Sequence, residues 1–180
     1  MRILIHGLNY APEPTGIGKF TGEMAEWLAG RGHRVQVVTT PPYYPDWRIG
    51  AGYSSWGWRH ETIAGVDIYR CPLYVPNKPR GTTRLLHLLS FAASSLPVAM
   101  ARSLIFRPDV VITIAPALVS VPGSWIAARL AGARAFLHIQ DFEIDAAFAL
   151  GIVSGGPVRR LALALESWLL RRFDAVSSIT

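Results

Sequence analysis

The hydrophobic positions of the chain fall into short apolar runs that alternate with segments of helical period. The apolar runs predict strands at Arg2 to His6, Arg34 to Thr40, Pro108 to Ile114, Arg134 to Ile139 and Asp174 to Ile179. Helices are predicted between them at Ile17 to Leu28, Arg84 to Phe106, Ala117 to Leu130 and Gly156 to Leu169. A further strand or hairpin is predicted over Glu61 to Arg70. This alternation predicts an α/β fold with right-handed crossovers and a doubly wound parallel sheet.

The first strand leads into a loop, Pro12 to Lys19, that has the layout of a phosphate-binding loop. Gly16 and Gly18 let the backbone approach a ligand, and the helix that follows directs its free N–H groups and positive dipole end at an anion. Thr15 and Lys19 belong to the same candidate substrate site, and Tyr44 joins it from the loop after the second strand. A lysine at a helix start that is merely exposed to water is an equally ordinary interpretation of Lys19.

The glycine spacing also resembles a dinucleotide-binding fingerprint. That class of site needs an acidic residue at the end of the second strand to hold a ribose. The second strand here ends at Thr40, and Pro41 and Pro42 follow it. A nucleotide-dependent oxidoreductase is therefore disfavoured.

Ligands of doubly wound sheets bind beyond the carboxyl ends of the strands. The loops concerned are Asn9 to Lys19, Thr40 onward, Ala115 to Pro116, and Gln140 to Asp145. The last of these follows His138 and holds the candidate catalytic residues Asp141, His138 and Glu143. A helix cap for Asp141, a core position for His138 and a solvated position for Glu143 remain open, as does a core role for His6. No metal is expected, because no pair of histidines supports the nearby carboxylates.

Composition and charge limit the classes of partner that this chain is expected to bind. The 180 residues suffice for one well-buried domain, and the net charge of +6 favours an anionic partner such as a nucleotide sugar or a phospholipid surface. No nucleic-acid-binding module is visible, so nucleic acid is not expected as a partner. The single cysteine, Cys71, excludes an internal disulfide and is expected to be a buried thiol. Met1 leads directly into a strand, so we expect a cytoplasmic protein.

The segment from Arg84 to Arg102 is the most lipid-like part of the chain. Its uncharged run, Leu88 to Ala101, is shorter than the ~20 residues of a spanning helix, which favours a buried or interfacial helix. The loop from Tyr43 to Trp58 is rich in aromatic residues. A membrane or acceptor patch is predicted at Trp47, Trp56, Trp58, Arg80 and Arg84. The alternative is that the helix packs on the sheet and the aromatic residues line a cleft or a domain interface.

Three segments together resemble the amino-terminal half of the family 4 glycosyltransferases, and among these the enzymes of colanic acid biosynthesis. The segments are Gly7 to Leu28, Pro41 to Trp47, and Leu137 to Phe148. The resemblance implies a GT-B enzyme, with two Rossmann-like domains facing a cleft, retaining chemistry, no metal and no cofactor. Residues 1–180 would form the acceptor-side domain, with the donor-binding domain absent, so that the chain alone is not expected to turn over.

The resemblance also implies roles for residues. Gly16 and Gly18 would belong to the diphosphate loop, and Asp141, with His138 or Glu143, would face the acceptor. The implied donor is GDP-fucose, and the implied acceptor is a polyprenyl-diphosphate-linked saccharide at the inner face of the bacterial cytoplasmic membrane. A non-enzymatic module that binds a nucleotide sugar or a lipid is the alternative function, and an oxidoreductase is the third.

Overall fold

The computed structural model describes residues 1–115, 118–140, 164, 167–168 and 170–179. These residues form seven strands, three α-helices and a short 3-10 turn, Leu118–Ser120. The strands are β1 (Arg2–Gly7), β2 (Arg34–Thr39), β3 (Arg59–Ile63), β4 (Val66–Arg70), β5 (Val110–Ala115), β6 (Arg134–Ile139) and β7 (Ala175–Ser178). The helices are α1 (Gly16–Gly30), α2 (Gly81–Phe106) and α3 (Val121–Ala131).

All seven strands belong to one sheet in the order β3-β4-β2-β1-β5-β6-β7. Every pair is parallel except β3 with β4, which form an antiparallel hairpin. The chain winds outward from β1 through β2 to the hairpin, and then returns through α2 to β5 on the other side of β1. The predicted doubly wound sheet is therefore confirmed, and its winding order reverses between β1 and β5, where ligands of such sheets bind.

The predicted hairpin over residues 61–70 turns at Ala64 and Gly65, both of which have positive φ angles, 51° and 78°. Two consecutive residues of this kind match the twist of a two-residue hairpin, and glycine accepts the second position without steric cost. The hairpin places β4 beside β2 and leaves β3 at the edge of the sheet.

Helices cover both faces of the sheet. On one face, α1 packs through Ala25 against Ile5, Val37 and Ile68. On the other face, α3 packs through Val121 and Ala128 in a cluster that includes Leu4, Val111 and Leu137. Because side chains alternate along each strand, the apolar runs of β1, β2 and β5 supply both clusters, as expected for parallel strands covered on both sides.

Helix α2 is, among the described residues, the one that is long and apolar enough to cross a membrane by length and composition. In the structure it buries a stripe of residues three or four apart that includes His87, Phe91, Ser95, Ala99, Ser103 and Phe106. Its first turns keep Leu85, Leu86 and Leu89 exposed on the opposite side. The helix therefore packs on the domain and also presents an apolar outer surface, and its interfacial role stays a prediction.

The third helix begins later along the chain than its prediction. Helix α3 begins at Val121, after the 3-10 turn, and not at Ala117, because Pro122 is favourable within the first turn of a helix and not farther inside it. The predicted helix over residues 156–169 lies almost wholly outside the described residues.

Candidate functional site

A cleft of about 520 Å³ opens at the carboxyl ends of β1, β2 and β6. We call it the central cleft. Its walls include Asn9 and Gly16 from the loop after β1, Tyr43, Tyr44 and Trp47 from the loop after β2, Arg84 and His87 from α2, and Gln140 from the end of β6. Ligands of doubly wound sheets bind beyond the carboxyl ends of the strands, and three of the four loops expected there thus meet in this cleft. The predicted loop residue Pro116 and the segment 141–145 lie outside the described residues.

Helix α1 begins at Gly16, which has the left-handed φ angle of 61° that favours glycine. Thr15 precedes it in an extended conformation, is exposed, and makes no side-chain cap hydrogen bond. Gly16 lines the central cleft. The structure therefore brings the start of α1 to the cleft, as the phosphate-loop prediction requires of Gly16.

Gly18 has different surroundings. A Cβ atom built on Gly18 would lie 2.2 Å from Oε2 of Glu13, so the space that this glycine leaves is filled by a side chain of the same loop. Glu13 is buried and accepts hydrogen bonds from the backbone N–H groups of Tyr43 and Tyr44, both at 3.1 Å, and from Nδ2 of Asn9 at 3.0 Å. Burial raises the pKa of the Glu13 carboxyl, and these hydrogen bonds oppose that shift.

Arg70, at the end of β4, is a second buried charge that joins the same two loops. It donates to the backbone carbonyls of Thr40, at 2.8 Å, and Ala11, at 2.7 Å, and forms an ion pair with Glu61. Sequence patterns singled out neither Glu13 nor Arg70. A signal for Glu13 existed, because a lone acidic residue between Pro12 and Pro14 in a glycine-rich loop has little reason to be there as a solvated charge.

The aromatic wall of the cleft is fixed by His87. Its Nδ1 lies 2.7 Å from the Tyr74 carbonyl, which can only accept, so Nδ1 carries the proton and Nε2 accepts from the Tyr43 hydroxyl at 3.0 Å. The ring of Trp47 lies 5.1 Å from that of His87 and 5.4 Å from that of Tyr43. Burial lowers the pKa of His87, which favours this neutral arrangement.

The predicted catalytic group is described only at His138. Its side chain is half-buried in β6, with Nδ1 2.8 Å from the Ser177 hydroxyl of β7, and burial lowers its pKa. His138 is not among the described residues that line the central cleft. Asp141 and Glu143 lie outside the described residues.

Lys19 and His6 also have defined positions. Lys19 lies on the exposed side of α1, 3.8 Å from Glu23, and not in the wall of the cleft. His6 is buried and bonded to the hydroxyls of Ser95 and Ser124, and burial lowers its pKa to about 4. The structure therefore favours the core role for His6.

The residues of the predicted patch divide into two groups. Trp56 and Trp58 are 84% and 64% exposed, and Arg80 is exposed at the start of α2. Trp47 and Arg84 are half-buried and line the central cleft. An adjoining apolar groove of about 560 Å³ shares Trp47 with the cleft and is lined also by Trp56, Leu73 and Tyr74. Trp47 and Arg84 thus belong to the cleft, and a membrane role for the exposed Trp56, Trp58 and Arg80 stays a prediction.

Both a family model and a known protein match the sequence of this chain. The model of the glycosyl transferase 4-like domain matches residues 15–180. WcaI of Escherichia coli (strain K12), which is named as a colanic acid biosynthesis glycosyl transferase, is 50% identical over 183 aligned positions that cover 100% of this chain and 44% of WcaI. The chain therefore spans less than half the length of this relative.

A crystal structure of a UGT transferase from Siraitia grosvenorii in complex with UDP has a TM-score of 0.43 and 14% identity, and covers 77% of this chain and 28% of that chain. That likeness is too low to support any inference about the fold or the ligand. The family model spans most of the chain, and the resemblance first seen in the loops after β1, β2 and β6 is confirmed by the identity to WcaI. The chain belongs to the family of glycosyl transferase 4-like domains.

Proposed function

We propose that this chain is the acceptor-side domain of a retaining glycosyltransferase that uses a nucleotide sugar and needs neither a metal nor a cofactor. The observation that carries the proposal is the central cleft, in which polar and aromatic groups from three strand ends and α2 converge around the start of α1. Membership of the family and the identity to WcaI support the reaction class. The proposed donor is GDP-fucose, and the proposed process is the synthesis of an exopolysaccharide, colanic acid.

The donor-binding part is assigned to a second domain. Since this chain covers 44% of WcaI, a longer protein has room for a domain that closes over the cleft. Holding two reactants in register supplies a large part of catalysis. The 180-residue chain by itself is therefore expected to bind acceptor and not to transfer sugar.

Within the domain, we assign Asp141 to face the acceptor, together with His138 or Glu143. His138 supports this assignment because it lies two residues before Gln140, which lines the cleft, and because burial lowers its pKa and so favours the neutral imidazole. Because Nδ1 is bonded to the Ser177 hydroxyl, Nε2 of the neutral imidazole is left to make one hydrogen bond to a sugar hydroxyl, as donor or acceptor according to the tautomer.

The proposed acceptor is a polyprenyl-diphosphate-linked saccharide at the inner face of the bacterial cytoplasmic membrane. Two features of the outer surface support it. Leu85, Leu86 and Leu89 are exposed on the first turns of α2, close in sequence to Arg84 at the cleft. Residues 71–108 contain five Lys and Arg residues and no Asp or Glu, which favours an anionic bilayer.

The decisive experiment compares the longer natural protein with the 180-residue chain. Each is supplied with GDP-fucose and a polyprenyl-diphosphate-linked saccharide in the presence of EDTA. Transfer by the long form only, with the anomeric configuration of the donor retained in the product by NMR, is the expected result. Transfer with inversion would refute the retaining mechanism, and loss of transfer in EDTA would refute metal independence.

The competing function is a non-enzymatic module that binds a nucleotide sugar or a lipid. One observation favours it, since the described residues of this chain form a cleft without a second domain. Binding of either ligand by both forms, with no transfer from any of a panel of GDP- and UDP-sugars, would establish the module and reject the enzyme.

A further inference from the structure

Asn9 occupies an unusual position in the central cleft. Its side chain is buried, and its Nδ2 donates to both carboxylate oxygens of Glu13, at 3.0 and 3.3 Å. Asn9 lines the cleft, and among the described residues its Oδ1 has no hydrogen-bond partner. Oδ1 is also accessible to solvent. Among the described residues, the side-chain oxygens that are both fully buried and without a hydrogen-bond partner are those of Ser103 and Thr113, and Oδ1 of Asn9 is not one of them. The amide oxygen is thus the polar atom that Asn9 offers to the cleft.

The orientation of this amide is dictated by Glu13. A carboxylate can only accept, so Asn9 must direct its NH₂ group toward Glu13 and its oxygen away from it. The carboxylate itself cannot rotate freely, because Oε1 accepts the N–H groups of Tyr43 and Tyr44 and the opposite side lies against Gly18. Glu13 therefore fixes which hydrogen-bonding group of Asn9 faces the cleft.

We infer that Asn9 is a specificity-determining residue that accepts a hydrogen bond from a hydroxyl of the bound saccharide, and that Glu13 is the residue that positions it. This inference rests on the proposed function and orients the substrate in the same cleft. An oxygen acceptor backed by a buried carboxylate repels phosphate oxygens, which are acceptors too. The hydroxyl-bearing sugar of the acceptor therefore lies at Asn9, and the diphosphate of the acceptor lies toward Arg84 on α2.

The variant Glu13→Gln should reverse the hydrogen-bonding group that Asn9 presents to the cleft. The glutamine oxygen must stay with the N–H groups of Tyr43 and Tyr44, so its NH₂ group takes the place of Oε2 and faces Asn9. Across the shorter of the two contacts, 3.0 Å, two NH₂ groups would then face each other, so Asn9 is expected to turn its oxygen toward residue 13 and its NH₂ group toward the cleft. This single isosteric change converts the group offered to substrate from an acceptor into a donor.

The test uses the full-length enzyme and the polyprenyl-diphosphate-linked acceptor with single hydroxyls replaced by hydrogen or by fluorine. Fluorine can accept weakly but cannot donate. In the wild type, both analogues at one sugar position should lose about 5- to 30-fold in kcat/KM, as expected for one lost hydrogen bond of about 1 to 2 kcal/mol. In Glu13→Gln, the natural acceptor should lose a similar factor and the fluorinated analogue should no longer be disfavoured relative to it. In Asn9→Ala, the preference at that position should disappear.

The matched control is Glu23→Gln, the same chemical change on the exposed side of α1. It should keep the wild-type ranking of the analogues. A role of Glu13 in stability alone would lower kcat/KM for all acceptors by one factor and leave that ranking unchanged, which would overturn the inference. A wild type that accepts the fluorinated analogue while rejecting the deoxygenated one would also overturn it, because Asn9 would then act as a donor.

A second measurement does not depend on turnover. With ¹⁵N-asparagine labelling of the full-length protein, the Asn9 side-chain NH₂ protons should exchange slowly in the wild type and at nearly the rate of a free amide in Glu13→Gln. Unchanged exchange would refute the inference whether or not transfer is seen. The expected change in exchange without transfer by the wild type would reject the proposed enzyme and leave the Asn9 orientation established.

Discussion

The carboxylate of Glu13 fills the space beside Gly18 in the first turn of α1. A Cβ atom added to Gly18 would lie 2.2 Å from Oε2 and 2.7 Å from the Cβ atom of Glu13, both far inside van der Waals contact. The glycine is therefore required by the shape of its own loop. Because Glu13 also bonds Tyr43 and Tyr44, this one contact couples the start of α1 to the aromatic wall of the cleft.

Gly18→Ala is expected to destabilise the domain by roughly 1–3 kcal/mol, the usual cost of overpacking a closely packed site. Gly30→Ala is the matched control, because a Cβ atom at Gly30, the last residue of the same helix, meets none of the described atoms within 4 Å. Alanine in a helix should leave that variant unchanged or stabilise it by up to about 1 kcal/mol. Urea unfolding of both variants measures the difference, and equal stabilities would show that Glu13 moves aside without cost.

Arg70→Leu is expected to cost about 3–5 kcal/mol in the free energy of unfolding. The substitution leaves Glu61 without its buried partner and the carbonyls of Thr40 and Ala11 without a donor. Lys19→Ala removes an exposed ion pair with Glu23 instead and should cost no more than about 1 kcal/mol. A loss for Arg70→Leu as small as that for Lys19→Ala would mean that the loops hold together without the buried charge.

The sheet could be predicted from the sequence because its strands are β-branched runs and its helices have a clear period. For the site, the sequence predicts which loops take part but not most of the side chains that matter. Gly16 and Tyr44 come to the cleft because the ends of parallel strands must share an edge of the sheet. Glu13, Arg70 and His87 were not singled out, because their importance lies in contacts with residues far away in sequence. Asn9 was not singled out either, because its orientation depends on the buried Glu13. A buried charge looks like a solvated one until its partners are known.

Stability should fall as the pH falls from about 6.5 to about 4, and His6 should be a main cause. Its folded pKa is about 4 and its unfolded pKa is about 6.5, so between these values only the unfolded chain takes up the proton. The full effect is about 3 kcal/mol. His87 and His138 contribute in the same direction, whereas Glu13, with a raised pKa, contributes in the opposite direction.

His6→Asn isolates this contribution, because asparagine can bond Ser95 and Ser124 and does not titrate. The free energy of unfolding should depend on pH less steeply in the variant than in the wild type between pH 4 and 6.5. Parallel curves would show that His6 takes up its proton in the folded protein as readily as in the unfolded chain.

Cys71 should resist thiol reagents in the folded protein. Burial raises its pKa to about 12, so at pH 8 the thiolate is on the order of a thousand times scarcer than in an unfolded chain, in addition to the steric protection. Labelling with Ellman's reagent should therefore be slow in buffer and rapid in denaturant. Rapid labelling without denaturant would indicate an accessible thiol and would reopen a chemical role for this residue.

Trp56→Ser should weaken binding of the domain to vesicles without loss of stability. Trp56 is 84% exposed, so the substitution removes little packing, but its ring adjoins the apolar groove and is suited to the interfacial region of a bilayer. Trp27→Ser is the control, since Trp27 is also exposed, at 57%, but lies on α1, on the opposite face of the sheet from α2. Vesicles that contain phosphatidylglycerol should bind wild type and Trp27→Ser equally, and Trp56→Ser several-fold more weakly. If both tryptophan variants lose binding alike, attachment is non-specific. If neither does, the surface of α2 and the aromatic loop faces a partner other than a membrane.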